Sequence, residues 1–341
     1  IENTRGNTEI TFTLPTGLNK CIGSKYDSTN NRIIFFIWNS LSSHSVFELN
    51  IGTQVVSLLL QSSVFNFNRG YPILHCDIID DLCYWTDEFN PPRKINIARA
   101  KSGGYTTIDE QVISRIQYAP NDSPITAYGS DGSVTSNKVR GKMFQFKYAY
   151  VYEDNEISSF SPVSKIAIPP NQALYDFGGY YETTLDNHIS VEVNTGNYLC
   201  KRIQIVVRES NTTDWALVKE IDRDEWGSAS TFTYNFYNNE VYIPITQASV
   251  NKLFDNVPLI SGAQALIDGN RLVDSDVTEG YDNIEVNATA VAVYNEYPPA
   301  IQSKFAKLPS VGSPPVDGQD VELNQEVITP SSSATITQFI Y

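Results

Sequence analysis

The sequence predicts an all-β protein: propeller-type β-meanders with a β-sandwich inserted between them, and one or two short helices. Three observations carry this. Aromatic and β-branched residues are abundant, including 16 Phe and 20 Tyr, and they alternate with polar residues at period two. Apolar residues at helical spacing over three turns are scarce. Short strand-like runs are separated by clusters of Asn, Asp, Ser, Pro and Gly, the residues that turn a chain. The length of 341 residues implies about two domains, and 41% hydrophobic residues suffices for real cores.

Taken in order, Glu9–Leu14 (EITFTL) alternates and is predicted as a strand closed by Pro15, Thr16 and Gly17. The turn cluster Asp27–Asn30 introduces the buried strand Asn31–Trp38, and Ser45–Ile51 and Thr53–Leu60 complete a meander. The same order recurs in Pro72–Ile79, Leu82–Trp85 and Arg93–Ala98, with Trp38 and Trp85 47 positions apart. Repeats of that size, each with several short strands, characterise propeller blades, whose faces must stack to be buried. Two copies cannot close a propeller, so either more blades exist or the two meanders form a sandwich. Thr107 and Glu110 read as a capping box, with Ile108, Val112 and Ile116 on one face of a short helix.

Phe144, Phe146, Tyr148, Tyr150 and Tyr152 alternate in the clearest strand of the chain. The polar turn Glu153–Glu156 follows, and Val163–Ile168 is predicted to return as the hairpin partner. After the Tyr- and Gly-bearing loop Tyr175–Asp186, four more strands are expected at His188–Val193, Lys201–Arg208, Trp215–Ile221 and Thr231–Tyr237. Ala288–Tyr294 reads as a further strand. The predicted organisation is therefore a meander region ending in a short helix over 1–118, a linker over 119–141, and a sandwich over 142–250. A segment returning to the meanders follows over 251–297, then an extended arm or linker over 298–341.

Two resemblances follow from particular strings. YAYVYEDNEISSFSPVS resembles the last hairpin of a fibronectin type III domain, but here it precedes strands such as KRIQIVVRESNTTDWALVKEI. This implies a sandwich of permuted chain order, or one begun earlier in the chain. The runs DDLCYWTDEFNPPRKIN (Asp80–Asn96) and KLFDNVPLISGAQALIDGNRLVDSDVTEGYDN (Lys252–Asn283) resemble tail nozzle, muzzle or tail stabilisation proteins of short-tailed crAss-like bacteriophages. The resemblance implies a structural virion protein of the phage tail. It would form a homo-oligomeric ring of six or twelve copies, attach to tail hub or adaptor proteins, let DNA pass without sequence-specific binding, and contact the host surface.

The formal charge of −15 (24 Lys and Arg against 39 Asp and Glu) argues against a sequence-reading nucleic-acid binder, which needs cations on phosphates. A like-charged wall is what a passage for sliding DNA requires, although acidity also serves solubility alone. Candidate channel-facing acids are Asp80, Asp81, Asp87 and Glu88, with Asp274, Asp276 and Glu279 in the returning segment. Cys21, Cys76, Cys83 and Cys200 form no CxxC pair and read as free thiols, and no complete ligand set for a metal or cofactor is present. His44, His75 and His188 lie near no nucleophile elbow, so no catalytic residue is assigned and the chain is read as a non-enzyme. No stretch of apolar residues is long enough to span a membrane. The competing functions are a secreted or surface-displayed glycan- or protein-binding module and, more weakly, a propeller glycosidase using paired carboxylates.

Overall fold

The structure, a computed structural model, describes residues 9–170, 184–209, 214–252 and 257–279. These form an all-β protein of antiparallel sheets with four short α-helices. The first meander is a four-stranded sheet in chain order: β1 (Asn19–Asp27), β2 (Arg32–Asn39), β3 (Ser45–Asn50) and β4 (Val55–Gln61). The second is three-stranded: β5 (His75–Ile79), β6 (Leu82–Thr86) and β7 (Arg93–Asn96). Phe36 of β2 meets Trp85 of β6 with ring centroids 5.3 Å apart, and Phe65 and Phe67 fill the space beside them. Each such buried aromatic contributes about 1.5–3 kcal/mol through area removed from water.

Several boundaries differ from expectation. Glu9–Leu14 is not a strand, because it joins no ladder; Phe12 is instead laid edge-on over Phe35 and Phe47 at 5.6 and 5.3 Å. The first strand is β1, in which Gly23 is required because a Cβ there would stand 2.5 Å from the Ile73 carbonyl oxygen. β7 stops at Asn96, whose side chain accepts from the Arg99 N–H and starts helix α1 (Ile97–Lys101) instead of carrying the strand to Ala98. The next helix, α2, is a single turn over Glu110–Ile113, and its cap is Asp109, which accepts from the Val112 N–H, in place of the predicted Thr107–Glu110 box.

The stretch predicted as a linker contains β8 (Ile125–Gly129). It pairs with β10 (His188–Asn194), which pairs in turn with β13 (Thr231–Phe236), giving a sheet of order β13-β10-β8. The opposing sheet has the order β14-β12-β11-β9, from β9 (Phe144–Tyr152), β11 (Cys200–Glu209), β12 (Ala216–Asp222) and β14 (Ile243–Pro244). Phe144 and Phe146 close the gap between the sheets by edge contacts to Phe236 at 5.0 and 5.2 Å, and all five alternating aromatics of β9 are buried, as their spacing predicts. Helices α3 (Arg223–Trp226) and α4 (Gln247–Val250) follow β12 and β14.

Val163–Ile168 does not form the predicted partner strand. Ser158, Ser161 and Ser164 clasp the free edge of β9 instead. Their N–H groups donate to the carbonyls of Tyr150, Tyr148 and Phe146 at 2.8–2.9 Å, while their hydroxyls accept from the N–H groups of the same three residues at 2.9–3.0 Å. Three residues of the clasp thus match two of the strand, and the edge is satisfied without a ladder.

The last described elements are β15 (Ile260–Ile267) and β16 (Arg271–Thr278), an antiparallel hairpin packed against β5 and β6. Ala288–Tyr294, the arm over 298–341 and most of the loop Tyr175–Asp186 lie outside the described residues.

Candidate functional site

The acids singled out by sequence separate once the fold is in place. Asp80 and Asp81 form the tight β5–β6 turn, with Asp80 at φ 52°. Beside them lies Arg32, buried on the inner face of the first meander. Its Nη2 donates to the Asp80 carbonyl and Asp81 Oδ1 (3.3 and 3.1 Å), its Nε donates to Asp27 Oδ2 (2.8 Å), and Glu48 lies 3.6 Å from Nη1. Lys101 of α1 completes the cluster at 2.6 Å from Glu48. Burial pushes the Asp27 carboxyl upward, but hydrogen bonds from Asn30 and Arg32 outweigh that and hold it below the usual carboxylate range. The cluster joins the two meanders, so Asp81 is an ion-pair partner of Arg32 although its side chain stays 47% exposed, and Asp80 beside it is exposed.

Asp87 is 2% exposed and is removed from the channel-facing set. Its carboxylate accepts from the N–H groups of Phe89 and Asn90 (3.1 and 2.7 Å) and from Asn90 Nδ2 (2.7 Å), holding the loop that leads to β7. Glu88, its neighbour, is exposed. The Asp80–Asp81 turn and the Asp87–Glu88 loop lie at opposite ends of β6, roughly 20 Å apart at the rise of an extended strand. They cannot form one carboxylate pair, as a glycosidase would need.

Asp274 belongs to an interface with the second meander. Arg115 Nη1 reaches both of its oxygens at 2.5 Å. Gln264, opposite it on β15, donates to Asp77 Oδ2 and the Tyr84 carbonyl at 3.2 and 3.1 Å. Thr86 donates to the Ser261 carbonyl, which sets this end of β15 beside the Asp87–Glu88 end of β6. Ser261 pairs with Val277, so Glu88, Asp276 and Glu279 are exposed acids at one end of the body.

A second polar junction was missed by sequence reasoning. The turn after β9 docks on the second meander: Asp154 receives Arg99 (2.7 and 3.3 Å) and Asn96 Nδ2 (3.0 Å), and Glu156 receives Lys94 and the Gln117 N–H. Only the acidic run Glu153–Glu156 hinted at this, and it read as an ordinary turn.

The thiols of Cys76 and Cys83 lie 3.5 Å apart in the core, and hydrogen bonding to Cys76 together with burial raises the Cys83 thiol well above its ordinary range, away from reactivity. His44 Nδ1 accepts from the Asn39 N–H at 3.1 Å, and His188 lies against Tyr237; no histidine bonds a serine hydroxyl or thiol among the described residues. Those residues hold no group of His, Cys, Asp and Glu placed for a metal ion, and no helix among them is long and apolar enough to cross a membrane.

The remaining feature is a groove of about 590 Å³ between residues 11–15 and the outer face of β3–β4, lined by Phe12, Leu14, Phe47, Val55, Val56 and Leu58 with polar but uncharged neighbours.

No family model matches the chain, and no curated protein matches it. Among solved structures, the crystal structure of the N-terminal domain of Nup159 is similar at 7% identity, covering 72% of this chain and 70% of that one, with a TM-score of 0.18. A likeness at that score carries no argument about fold or function.

Proposed function

We propose that this chain is a non-enzymatic structural subunit of a ring at the distal end of a short-tailed phage tail, where it surrounds the exit path of the DNA. One observation supports the reading best. The two strings that resemble tail nozzle proteins, Asp80–Asn96 and Lys252–Asn283, lie far apart in sequence, yet β6 and the β15–β16 hairpin pack together through Thr86, Gln264 and Arg115. The sandwich is then an insertion, tied back by Asp154 and Glu156, and its clasped hairpin suits a permuted fibronectin-like module. In this reading Glu88, Asp276 and Glu279 are the acids that face the conduit, because they share one end and are the ones left exposed there. Their repulsion of phosphate acts over a Debye length of roughly 8 Å at physiological salt. Negative-stain microscopy and light scattering of the purified chain test it: closed rings of six or twelve copies that do not retain duplex DNA are expected. A chain that stays monomeric at high concentration overturns it.

A second reading, a surface-displayed glycan-binding module, is favoured by Tyr71 and Phe89, whose exposed rings lie 5.1 Å apart at 32°. Saturable glycan binding lost in Tyr71→Ala would favour that reading over the ring.

A further inference from the structure

Cys76 and Cys83 meet in the core. Cys76 stands opposite Trp85 on the β5–β6 ladder and Cys83 opposite Ile78, so the two are diagonal neighbours on one face, the face that the first meander covers. Their Sγ atoms are 3.5 Å apart, and each is the other's hydrogen-bond partner. Cys21 and Cys200 are differently placed, for their sulfurs donate to the backbone carbonyls of Gly23 and Arg202. A single buried thiol serves as a small apolar side chain. Two in contact across a ladder are also placed for a covalent bond.

The surroundings decide when that bond can form. The nucleophile in disulfide exchange is a thiolate that the reagent must reach. In the folded chain Cys83 is 0% and Cys76 6% exposed, and the hydrogen bond to Cys76 together with burial pushes the Cys83 thiol upward. Before the first meander packs over them, neither obstacle exists. The β5–β6 hairpin turns at Asp80 and Asp81, with Ile79 paired to Leu82, so its strands can meet at a small cost in chain entropy.

We propose that Cys76 and Cys83 are a site of oxidative modification, joined by a disulfide when the chain folds in the presence of a small-molecule disulfide, and that the first meander then seals whichever state they hold. One cysteine releases its proton, and its thiolate attacks a sulfur of the oxidant and expels a small thiolate. The second, deprotonated in turn, attacks the protein sulfur of the mixed disulfide and expels the other. The protein gives up two electrons and two protons, and the small disulfide becomes two thiols. Diagonal Cα atoms ordinarily stand about 7–8 Å apart, whereas a disulfide spans about 4.4–6.8 Å. The bond therefore draws β5 and β6 together near the Asp80–Asp81 turn, which Arg32 holds, and oxidation is felt at the join between the meanders. None of this depends on whether the chain assembles into a ring.

The test refolds the reduced full chain from urea, either into reductant or into a mixture of reduced and oxidised glutathione, with circular dichroism as the check on folding. Each product is alkylated in denaturant and digested with trypsin, and the peptide Gly70–Arg93, which holds Cys76 and Cys83 and no other cysteine, is weighed. The glutathione arm is expected to give this peptide unalkylated and lighter by two hydrogens, the reductant arm to give it doubly alkylated. Chain folded in reductant and then moved into the glutathione mixture is expected to form the bond at least about tenfold more slowly than the refolding chain. A doubly alkylated peptide or a glutathione adduct from the folded glutathione arm overturns the proposal, as does a linked chain that does not regain its sheet signal. Equal rates in folded and refolding chain overturn the sealing.

Discussion

In the first meander β2 turns Phe36 inward onto the second meander and Phe35 outward under the ring of Phe12; in the second meander the central strand turns Trp85 toward the first meander and the Tyr84 side toward the hairpin. Two sheets with similar sequence patterns therefore have different surroundings among the described residues, one packed between two other sheets and one covered on its outer face by the single segment that carries Phe12. Trp38 and Trp85 show the consequence. Trp85 is 1% exposed among Phe36 and Phe65, whereas Trp38 is half-buried with Arg69 over its ring at 5.9 Å. A repeat in sequence fixes which residues form strands, and the neighbours decide what each residue is worth.

The largest expected effect sharpens this contrast. Trp85→Ala leaves a cavity between layers and should cost roughly 3–5 kcal/mol in urea unfolding, with Trp38→Ala costing clearly less. Equal losses would mean that the two positions are equivalent after all. Arg32→Met breaks the join between the meanders, stranding Asp27, Glu48 and Asp81 near one another, and should cost about 3–5 kcal/mol. If the sheets then unfold in separate transitions, the cluster is what makes them one cooperative unit.

Smaller effects compare the loops. Asp87→Ala removes a buried cap from the second meander and should cost about 1–3 kcal/mol, whereas Asn50→Ala, which loses an exposed bond to the Thr53 N–H, should cost a few tenths. The smallest effect is one of pH. Burial, with the charge of Arg93 nearby, lowers the His44 pKa, and its Nδ1 must stay unprotonated to accept from Asn39. The unfolded chain therefore binds this proton more readily than the folded one. The stability due to His44 is complete above the unfolded value of about 6.5 and declines as pH falls below it. His44→Gln should flatten the melting temperature between pH 7 and 5; an unchanged slope would assign the effect elsewhere.

Strands with alternating aromatic or branched residues, such as β2, β3, β9 and β11, were legible because one or both faces are buried. β1 was not, since Ile22 is its only buried apolar residue and Lys20, Ser24 and Lys25 break the pattern. β8 is an edge strand with no fully buried residue, so its composition reads as loop. Among the acids, sequence located the turns of Asp80–Asp81 and Asp87–Glu88, whereas Asp274 and Asp276 lie within strand β16, and it could not show which carboxylates would be enclosed. The burial of Asp87 depends on a loop closing around it, and the pairing of Asp274 depends on Arg115, 159 positions away.

The serine clasp has a consequence for fidelity of assembly. Its spacing of three against the strand's two works like a vernier: Ser158, Ser161 and Ser164 coincide with Tyr150, Tyr148 and Phe146 in one alignment, and a slip of one residue takes all three out of step. An intruding strand of period two can reproduce the backbone bonds but not the hydroxyl acceptors in this arrangement. Such a mismatch keeps the β9 edge of the sandwich closed to strands of other molecules.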